Sequence, residues 1–270
     1  MNSISDELSS DEFREVVSKD AFDLALQPIV ACGRRAVSHF EALIRFHDHP
    51  VEQSPASRIL MAEKAGLIQQ LDLAVARRAA DLARRYDAQG ERVDIAINLS
   101  GLSLSDAGTV ADLEVILAGL GPLRARILLE LTETAEIKYL SKTNKLIQGL
   151  RAAGHRICLD DFGAAAGAFS YLWKLDVDIV KLDGSQIRIA ASSKKGIAFL
   201  QAMAQLCREL GVQLVAEAVE DERMLGFLQG CGIDMAQGYV FGPPQNILIA
   251  NGVAELPSNF PGIALSDSIH

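Results

Sequence analysis

The sequence predicts an α/β fold, specifically a TIM-type (β/α)8 barrel with an antiparallel first strand. Apolar runs of strand length alternate with amphipathic helical stretches over most of the chain, which is typical of parallel strands with outer helices. Four of those runs, ILLELTET, RICLDDFG, DIVKLDG and QLVAEAVE, stop abruptly on charged side chains. Because function lies at the carboxyl ends of the strands in such barrels, these side chains mark the expected site.

The start of the chain departs from this alternation. We predict a short helix at 11–20 with Ser10 as its cap, then strands at 24–30 and 39–46. The turn between the strands contains Gly33 and is too short for a parallel crossover, so this pair should be antiparallel.

The remaining elements follow in order. Residues 55–88 predict two helices broken near Gly66. Strands are predicted in VDIAINLS, RILLELTET, RICLDDF, DIVKLDG, QLVAEAVE and MAQGYVF, and helices around 109–119, 142–153, 168–175, 194–210 and 221–230. The domain prediction is an N-terminal helical extension at 1–20, a barrel domain at 21–250 and a C-terminal tail at 251–270.

Composition limits the class of protein. The 270 residues carry a formal charge of −9, which disfavours a binder of duplex nucleic acid, since that class needs a basic surface. The four cysteines are scattered without a CxxC pair, and this favours a reducing, cytoplasmic setting. The N-terminus is too acidic and polar for a signal peptide, and no apolar run reaches the ~20 residues of a membrane span.

Polar side chains collect at the predicted strand ends. A buried carboxylate is costly without a partner, and the adjacent Asp160 and Asp161 repel each other unless a cation lies between them. The set is Glu41, Asn98, Glu130, Asp160, Asp161, Lys181, Asp183, Glu217, Glu220 and Gln237. Oxygen ligands without cysteine or histidine suit Mg²⁺ or Mn²⁺ rather than zinc. One carboxylate bridging two cations is the arrangement of metal-assisted phosphoester hydrolysis.

The histidines are not included in the predicted metal site. His47 and His49 form an HxH that hints at a metal, but they follow a strand into a loop and we expect them to be exposed. His39 and His155 are expected on the surface at strand starts.

In order along the chain, the motifs resemble those of the EAL-domain phosphodiesterases that linearise cyclic di-GMP. The resemblance covers about Phe22 to Pro244. Its motifs are LQPIV at 26–30, FEALIRF with Glu41, INLS with Asn98, ELTE at 130–133, DDFG at 160–163, KLD at 181–183, EAVE at 217–220 and QGYVF at 237–241.

The resemblance implies two Mg²⁺ or Mn²⁺ ions per site and linear pGpG as product. Glu41, Asn98, Glu130 and Asp160 look like ligands of one metal, and Asp160, Asp161 and Glu217 like ligands of a second, with Gln237 acting through water. Lys181 would position the attacking water, Glu217 and Glu220 would also serve catalysis, and Glu220 would orient Lys181. Gln27, Leu43, Arg45, Asp183 and Pro244 match substrate-contacting positions, and Glu133 would support the loop after DDFG.

That loop departs from the family pattern. The usual TGYSSLSYL is replaced by AAAGAFSYL at 164–172, so the hydroxyls and the tyrosine that serve the second metal and a dimer interface are missing. Two smaller departures are Ala218 where glycine is usual and Gly242-Pro243 where serine and a variable residue are usual.

Three hypotheses therefore stay open. The chain is an active cyclic di-GMP phosphodiesterase, a weak or inactive receptor for cyclic di-GMP, or a barrel lyase of the enolase kind, which also places carboxylates at strand ends. A homodimer and a regulatory protein partner are both compatible with the first two.

Overall fold

Eight strands close into a barrel with helices outside it, as the sequence predicted. The computed structural model describes residues 10–19, 21–47, 55–132, 140–163, 168–250 and 253–257. Strands β2 to β8 are parallel and neighbour each other in chain order, and β1 closes the barrel by pairing antiparallel with both β2 and β8. The predicted antiparallel start is therefore confirmed.

The barrel strands are β1 Phe22–Ala31, β2 Ala36–Phe46, β3 Ile95–Leu99, β4 Ile127–Thr132, β5 Arg156–Phe162, β6 Ile179–Leu182, β7 Gln213–Ala216 and β8 Met235–Ala236. A short β9, Gln245–Asn246, pairs with Ala25 and Leu26 of β1, on the side that pairs with β8 at Val30 and Ala31. The strand β10, Leu248–Ala250, forms a hairpin with β11, Val253–Glu255.

The helices are α1 Ser10–Ser18, α2 Ala56–Lys64, α3 Ile68–Ala88, α4 Gly101–Ser105, α5 Ala107–Ala118, α6 Leu140–Ala152, α7 Gly184–Ala191, α8 Lys194–Glu209 and α9 Glu222–Gly230. The break between α2 and α3 falls at Gly66, whose φ is +68°, as predicted. Two helices, α4 and α7, were not predicted, and the stretch predicted as helix near 168–175 is a 3-10 helix at Ala168–Trp173.

Side chains alternate between the two faces of every barrel strand. On the outer face, residues such as Phe40, Ala42 and Ile44 of β2 join the large core between strands and helices. On the inner face, seven strands each contribute one apolar residue to a separate cluster in the barrel interior. This cluster contains Ile29, Ala96, Leu128, Cys158, Ile179, Val215 and Met235.

The eighth strand, β2, places His39 opposite Ile29 in the β-ladder. His39 is 1% exposed, and His155 is also buried, at 4%. The expectation that both lie on the surface is therefore wrong. The reason is periodicity, because His39 is two residues from Glu41 and so shares its inward face.

Both ends of the described chain pack on the barrel. On α1, Phe13 is fully buried and its ring lies 5.8 Å from that of Phe46. At the other end, the amide of Gln89 bonds both the N–H and the carbonyl of Ala254, which fixes the β10–β11 hairpin to α3. Within the described ranges, no helix is long and apolar enough to cross a membrane.

Candidate active site

A ring of polar side chains lies in the barrel interior, one residue layer above the apolar cluster. Each barrel strand contributes one member, which for β7 and β8 is the residue directly after the strand. Each member lies two residues from the apolar residue of its strand or, in β2, from His39, so the pleat of the strands builds the ring. The members are Gln27, Glu41, Asn98, Glu130, Asp160, Lys181, Glu217 and Gln237.

The antiparallel β1 shows the same two-residue offset between its polar and apolar members, but in the opposite sequence order. Gln27 precedes its apolar partner Ile29 in sequence, whereas polar members follow apolar ones in the parallel strands. Gln27 consequently lies directly opposite Glu41 in the ladder.

Lys181 is the centre of this ring. Its ammonium nitrogen, Nζ, lies 2.8 Å from Glu217, 2.9 Å from Glu130, 3.1 Å from Asp160 and 3.2 Å from Glu41. Lys181 is only 1% exposed, so one buried cation balances four carboxyl groups. The site as a whole keeps an excess of negative charge.

This excess shows in the pKa values of the acids. Burial raises the pKa of Glu217 to about 7, with Asp160 adding repulsion. Burial, followed by repulsion from Glu41 and Asp160, raises the pKa of Glu130 well above its usual range although Lys181 opposes the shift. Burial would also raise the pKa of Glu41, but Lys181 and hydrogen bonds from Gln237 and Asn98 lower it on balance. Burial would lower the pKa of Lys181, but the four acids around it raise it well above its usual range.

Side-chain amides hold Glu41 on both of its oxygens. Asn98 Nδ2 donates to Oε1 at 2.9 Å, and Gln237 Nε2 donates to Oε2 at 2.7 Å. The same Gln237 nitrogen lies 3.1 Å from Gln27 Oε1, and Gln27 in turn donates to the carbonyl of Gly242. Glu41 is therefore fixed in place before any ligand arrives.

An irregularity in β5 turns both neighbouring aspartates towards the site. The register between β5 and β6 shifts between Leu159 and Phe162, and Asp161 adopts φ +55°, a conformation uncommon for a residue other than glycine. Asp160, Asp161 and Glu217 can each offer a carboxylate oxygen within 4.8 Å of the others. Burial, followed by repulsion from Asp160, raises the pKa of Asp161.

The ring fits a pair of hard cations. Three buried oxygens have no hydrogen-bond partner: Glu130 Oε1, Asp160 Oδ1, which meets Lys181 only as an ion pair, and Gln237 Oε1. Ionised carboxylate and amide oxygens are acceptors only, so a cation or its water satisfies them. Each of these three oxygens belongs to a residue that was predicted from the sequence to be a metal ligand or to act on the metal through water.

Of the predicted substrate-contacting residues, Gln27 is a member of this ring, and the others follow the ring residues along the chain. Leu43 and Arg45 share the inward face of β2 with Glu41, and Arg45 is half-buried with its guanidinium bonded to the carbonyl of Ile44. Burial lowers the pKa of Arg45. Asp183 caps α7 by accepting from the N–H groups of Ser185 and Gln186, and Pro244 directly precedes β9.

Glu220 is not placed with Lys181. Its side chain is 71% exposed and lies 4.0 Å from Arg188, because the backbone reverses at Ala218, where φ is +51°. The role of Glu220 towards Lys181 stays a prediction. Glu133 and residues 164–167 lie outside the described residues, and so do the side chains of 168 and 169.

Sequence comparison places this site in a known family. The EAL domain profile matches residues 10–244. The chain belongs to the EAL domain family. The matched residues include α1, and the predicted boundary of the barrel domain at residue 21 stays a prediction.

Two relatives of this EAL domain are named for the same activity. It is 33% identical over 237 residues to the cyclic di-GMP phosphodiesterase NbdA of Pseudomonas aeruginosa and 31% identical over 234 residues to the cyclic di-GMP phosphodiesterase PdeB of Shewanella oneidensis. These matches cover 87% and 86% of the chain, but only 30% and 27% of the relatives. The chain thus corresponds to less than a third of each of these proteins.

Solved EAL domains share the fold. The PaMucR phosphodiesterase in its c-di-GMP complex superposes with a TM-score of 0.77 at 30% identity, over 87% of this chain and 96% of that one. The FimX EAL domain of Xanthomonas citri in complex with c-diGMP also gives 0.77, at 21% identity, over 86% and 91% of the two chains. The latter likeness concerns the fold alone.

Proposed function

We propose that this chain is a cyclic di-GMP-specific phosphodiesterase that hydrolyses its substrate to linear pGpG with two divalent cations. The observation that carries the proposal is the complete ring of polar side chains, contributed by all eight barrel strands of an EAL domain. The names of the relatives and the c-di-GMP bound to PaMucR support the choice of substrate.

The ring divides into two overlapping ligand sets. Glu41, Asn98, Glu130 and Asp160 would hold one cation, and Asp160, Asp161 and Glu217 the other, so that Asp160 is shared. Two cations, Mg²⁺ or Mn²⁺, supply a water nucleophile at neutral pH and neutralise charge on the phosphoryl group. The three oxygens without a hydrogen-bond partner support this assignment, because each can accept from a bound water or ligate a cation directly.

The chain's own residues do the remaining work. Lys181 donates from the centre of the ring, where it can hold the attacking water and offset negative charge on phosphate. Gln237, whose Oε1 is free to accept, would steady a water beside the cations. Arg45 offers a forked donor at the outer level of the site for a phosphate oxygen, beside Leu43. Gln27, Asp183 and Pro244 complete the proposed substrate contacts.

A turnover assay tests the proposal. Purified protein is incubated with cyclic di-GMP and Mn²⁺ or Mg²⁺, and pGpG is measured by chromatography beside Glu41→Ala and Asp160→Asn variants. We expect metal-dependent pGpG from the unaltered chain and none from either variant. Asp112→Asn, which removes an exposed acid from α5, should hydrolyse normally. No pGpG from the unaltered chain after several hours would refute the proposal.

The second candidate is a receptor that binds cyclic di-GMP with little turnover. The observation that favours it is the apolar sequence AAAGAF at 164–169, in place of a polar loop next to DDFG. Calorimetry that shows tight binding together with negligible pGpG would establish this function. Restoring the polar loop sequence should then raise turnover. The predicted homodimer and regulatory partner belong to either function and would be sought by light scattering and pull-down.

A further inference from the structure

Among the described residues outside the polar ring, the buried acid Asp72 is connected to the site through the segment after β3. Asp72 lies on α3, is 7% exposed, and has its pKa raised to about 6, chiefly by burial. A buried carboxylate is costly unless hydrogen bonds compensate it. Both of its hydrogen bonds come from the segment that directly follows β3: Ser103 Oγ at 2.6 Å and the backbone N–H of Ser100 at 2.9 Å.

Ser100 is held by three elements at once. Its N–H donates to Asp72 on α3, its hydroxyl donates to Glu63 on α2 at 3.3 Å, and the same hydroxyl accepts from the N–H of Leu102 as the cap of α4. The last residues of β3 therefore cannot move independently of α2 and α3. Asn98, a member of the polar ring, lies only two residues before Ser100 in the sequence.

The position of Asn98 matters because its amide holds Glu41. Asn98 Nδ2 reaches Glu41 Oε1 at 2.9 Å, and both residues are assigned to the same cation under the proposed function. We propose that Asp72 is a positioning residue for Asn98. It fixes the end of β3 through Ser100 and Ser103 and thereby sets where the Asn98 amide meets Glu41 and the cation. This inference rests on the proposed function for the cation, but the geometry between Asp72 and Asn98 does not.

The decisive comparison is between Asp72→Ala, which removes the oxygen that accepts both hydrogen bonds, and Leu113→Ala. Leu113 lines the same small cavity as Asp72 and is buried, so its truncation loosens this region without removing a hydrogen bond to the segment after β3. Each variant is characterised by thermal unfolding and by Mn²⁺ titration calorimetry at a temperature at which all proteins are folded. Partners that orient metal ligands typically account for 10- to 100-fold in affinity, and Asp72 acts one step further away. We therefore expect Asp72→Ala to weaken Mn²⁺ binding by about 3- to 10-fold and Leu113→Ala to leave it unchanged.

A second readout does not depend on metal binding. In ¹⁵N spectra of the protein without added metal, the side-chain amide signal of Asn98 is assigned by its loss in Asn98→Asp. This signal should shift in Asp72→Ala and stay in Leu113→Ala. If Asp72→Ala does not fold, Ser103→Ala removes one of the two hydrogen bonds and should shift the signal in the same direction by less.

An unmoved Asn98 signal in a folded Asp72 or Ser103 variant overturns the inference, as does an equal shift in Leu113→Ala. Absence of Mn²⁺ binding by the unaltered chain would instead count against the proposed function, and the spectra would still decide the role of Asp72.

Discussion

At the scale of single residues, the site is organised around an internal cation. Lys181 is almost fully buried and pairs with four carboxyl groups at 2.8 to 3.2 Å. Buried ion pairs contribute little net stability when complete, but removing one partner leaves unbalanced charge and costs about 3–5 kcal/mol. Lys181 therefore has a structural role that is separable from the catalytic one we propose.

Replacing Lys181 by Met should expose that role. We expect Lys181→Met, measured in EDTA, to lose about 3–5 kcal/mol of unfolding free energy in urea, because the buried Glu41 and Glu130 and the partly buried Asp160 and Glu217 are left without their counter-ion. Added Mn²⁺ should restore more stability to this variant than to the unaltered protein, since a cation binding only the folded state stabilises it. Lys194→Met, an exposed lysine on α8, is the control. Equal stability of the two variants in EDTA would contradict the interpretation.

His39 gives a second residue-scale prediction, on acid stability. Burial, with repulsion from Arg156 and Lys181, lowers its pKa from 6.5 to about 3. Below pH 6.5 the unfolded chain therefore binds a proton at His39 that the folded protein does not bind. As a result, the free energy of unfolding falls as pH falls from 6.5 towards 3, by about 1.4 kcal/mol per pH unit. His39→Leu should reduce this loss. Urea unfolding of both proteins at pH 7.5, 6.0 and 5.0 measures it, and parallel pH profiles would argue against the prediction.

At the scale of elements, the ends of the strands carry the conformations that the site needs. The bulge in β5 lets Asp160 and Asp161 both reach the site, and the reversal at Ala218 separates Glu217 from Glu220. Gly238 also has a conformation that the site needs, here because two segments of the chain pack closely together. A Cβ at Gly238 would lie 2.2 Å from the carbonyl oxygen of Val219, so the chain after Gln237 can pack there only as glycine.

Gly238→Ala should therefore damage both stability and the site. We expect a loss of about 3 kcal/mol from the forced displacement of backbone, together with loss of pGpG formation as Gln237 moves. Gly226→Ala is the matched control, because it lies inside helix α9 with nothing within 4 Å of a new Cβ. Alanine there should stabilise the helix by about 0.5–1 kcal/mol. Thermal unfolding and the turnover assay compare the two, and a neutral Gly238→Ala would contradict the close-packing argument.

Much of the site could be predicted from sequence because the carboxyl ends of parallel barrel strands meet at one end of the barrel. Apolar runs that end on charged side chains identified Glu130, Asp160 and Lys181 without a structure, and all three meet at one centre. The features that could not be predicted depended on backbone irregularity or register. The direction of Glu220 follows from a left-handed residue at Ala218, and the burial of His39 follows from a strand that begins earlier than its apolar run suggests.

At the scale of the whole molecule, the ends of the described chain are part of the barrel's packing. The sequence separates 1–20 and 251–270 from the barrel domain, and those boundaries stay predictions. In the structure, Phe13 and Val17 of α1 join the main core, and Ala254 near the other end is fully buried. We expect neither end to be removable without loss of stability.

Phe13→Ala tests this expectation for α1. Truncating a fully buried phenylalanine costs about 3–5 kcal/mol, and Phe13 also loses its ring contact with Phe46 at the end of β2. Glu15→Ala, on the exposed face of the same helix, should change stability little. Chemical unfolding followed by tryptophan fluorescence measures both. A Phe13→Ala protein as stable as the unaltered one would mean that α1 is a separable extension.

The reversed direction of β1 decides where the polypeptide enters the barrel. In a barrel of parallel strands only, the first strand begins at the end remote from the catalytic mouth. Here Phe22, the first residue of β1, pairs with Phe46 at the mouth end of β2. The preceding helix α1 contacts the same rim, because the ring of Phe13 lies 5.8 Å from that of Phe46. A displacement of α1 would therefore act on the rim of the catalytic opening directly, without transmission through the barrel wall.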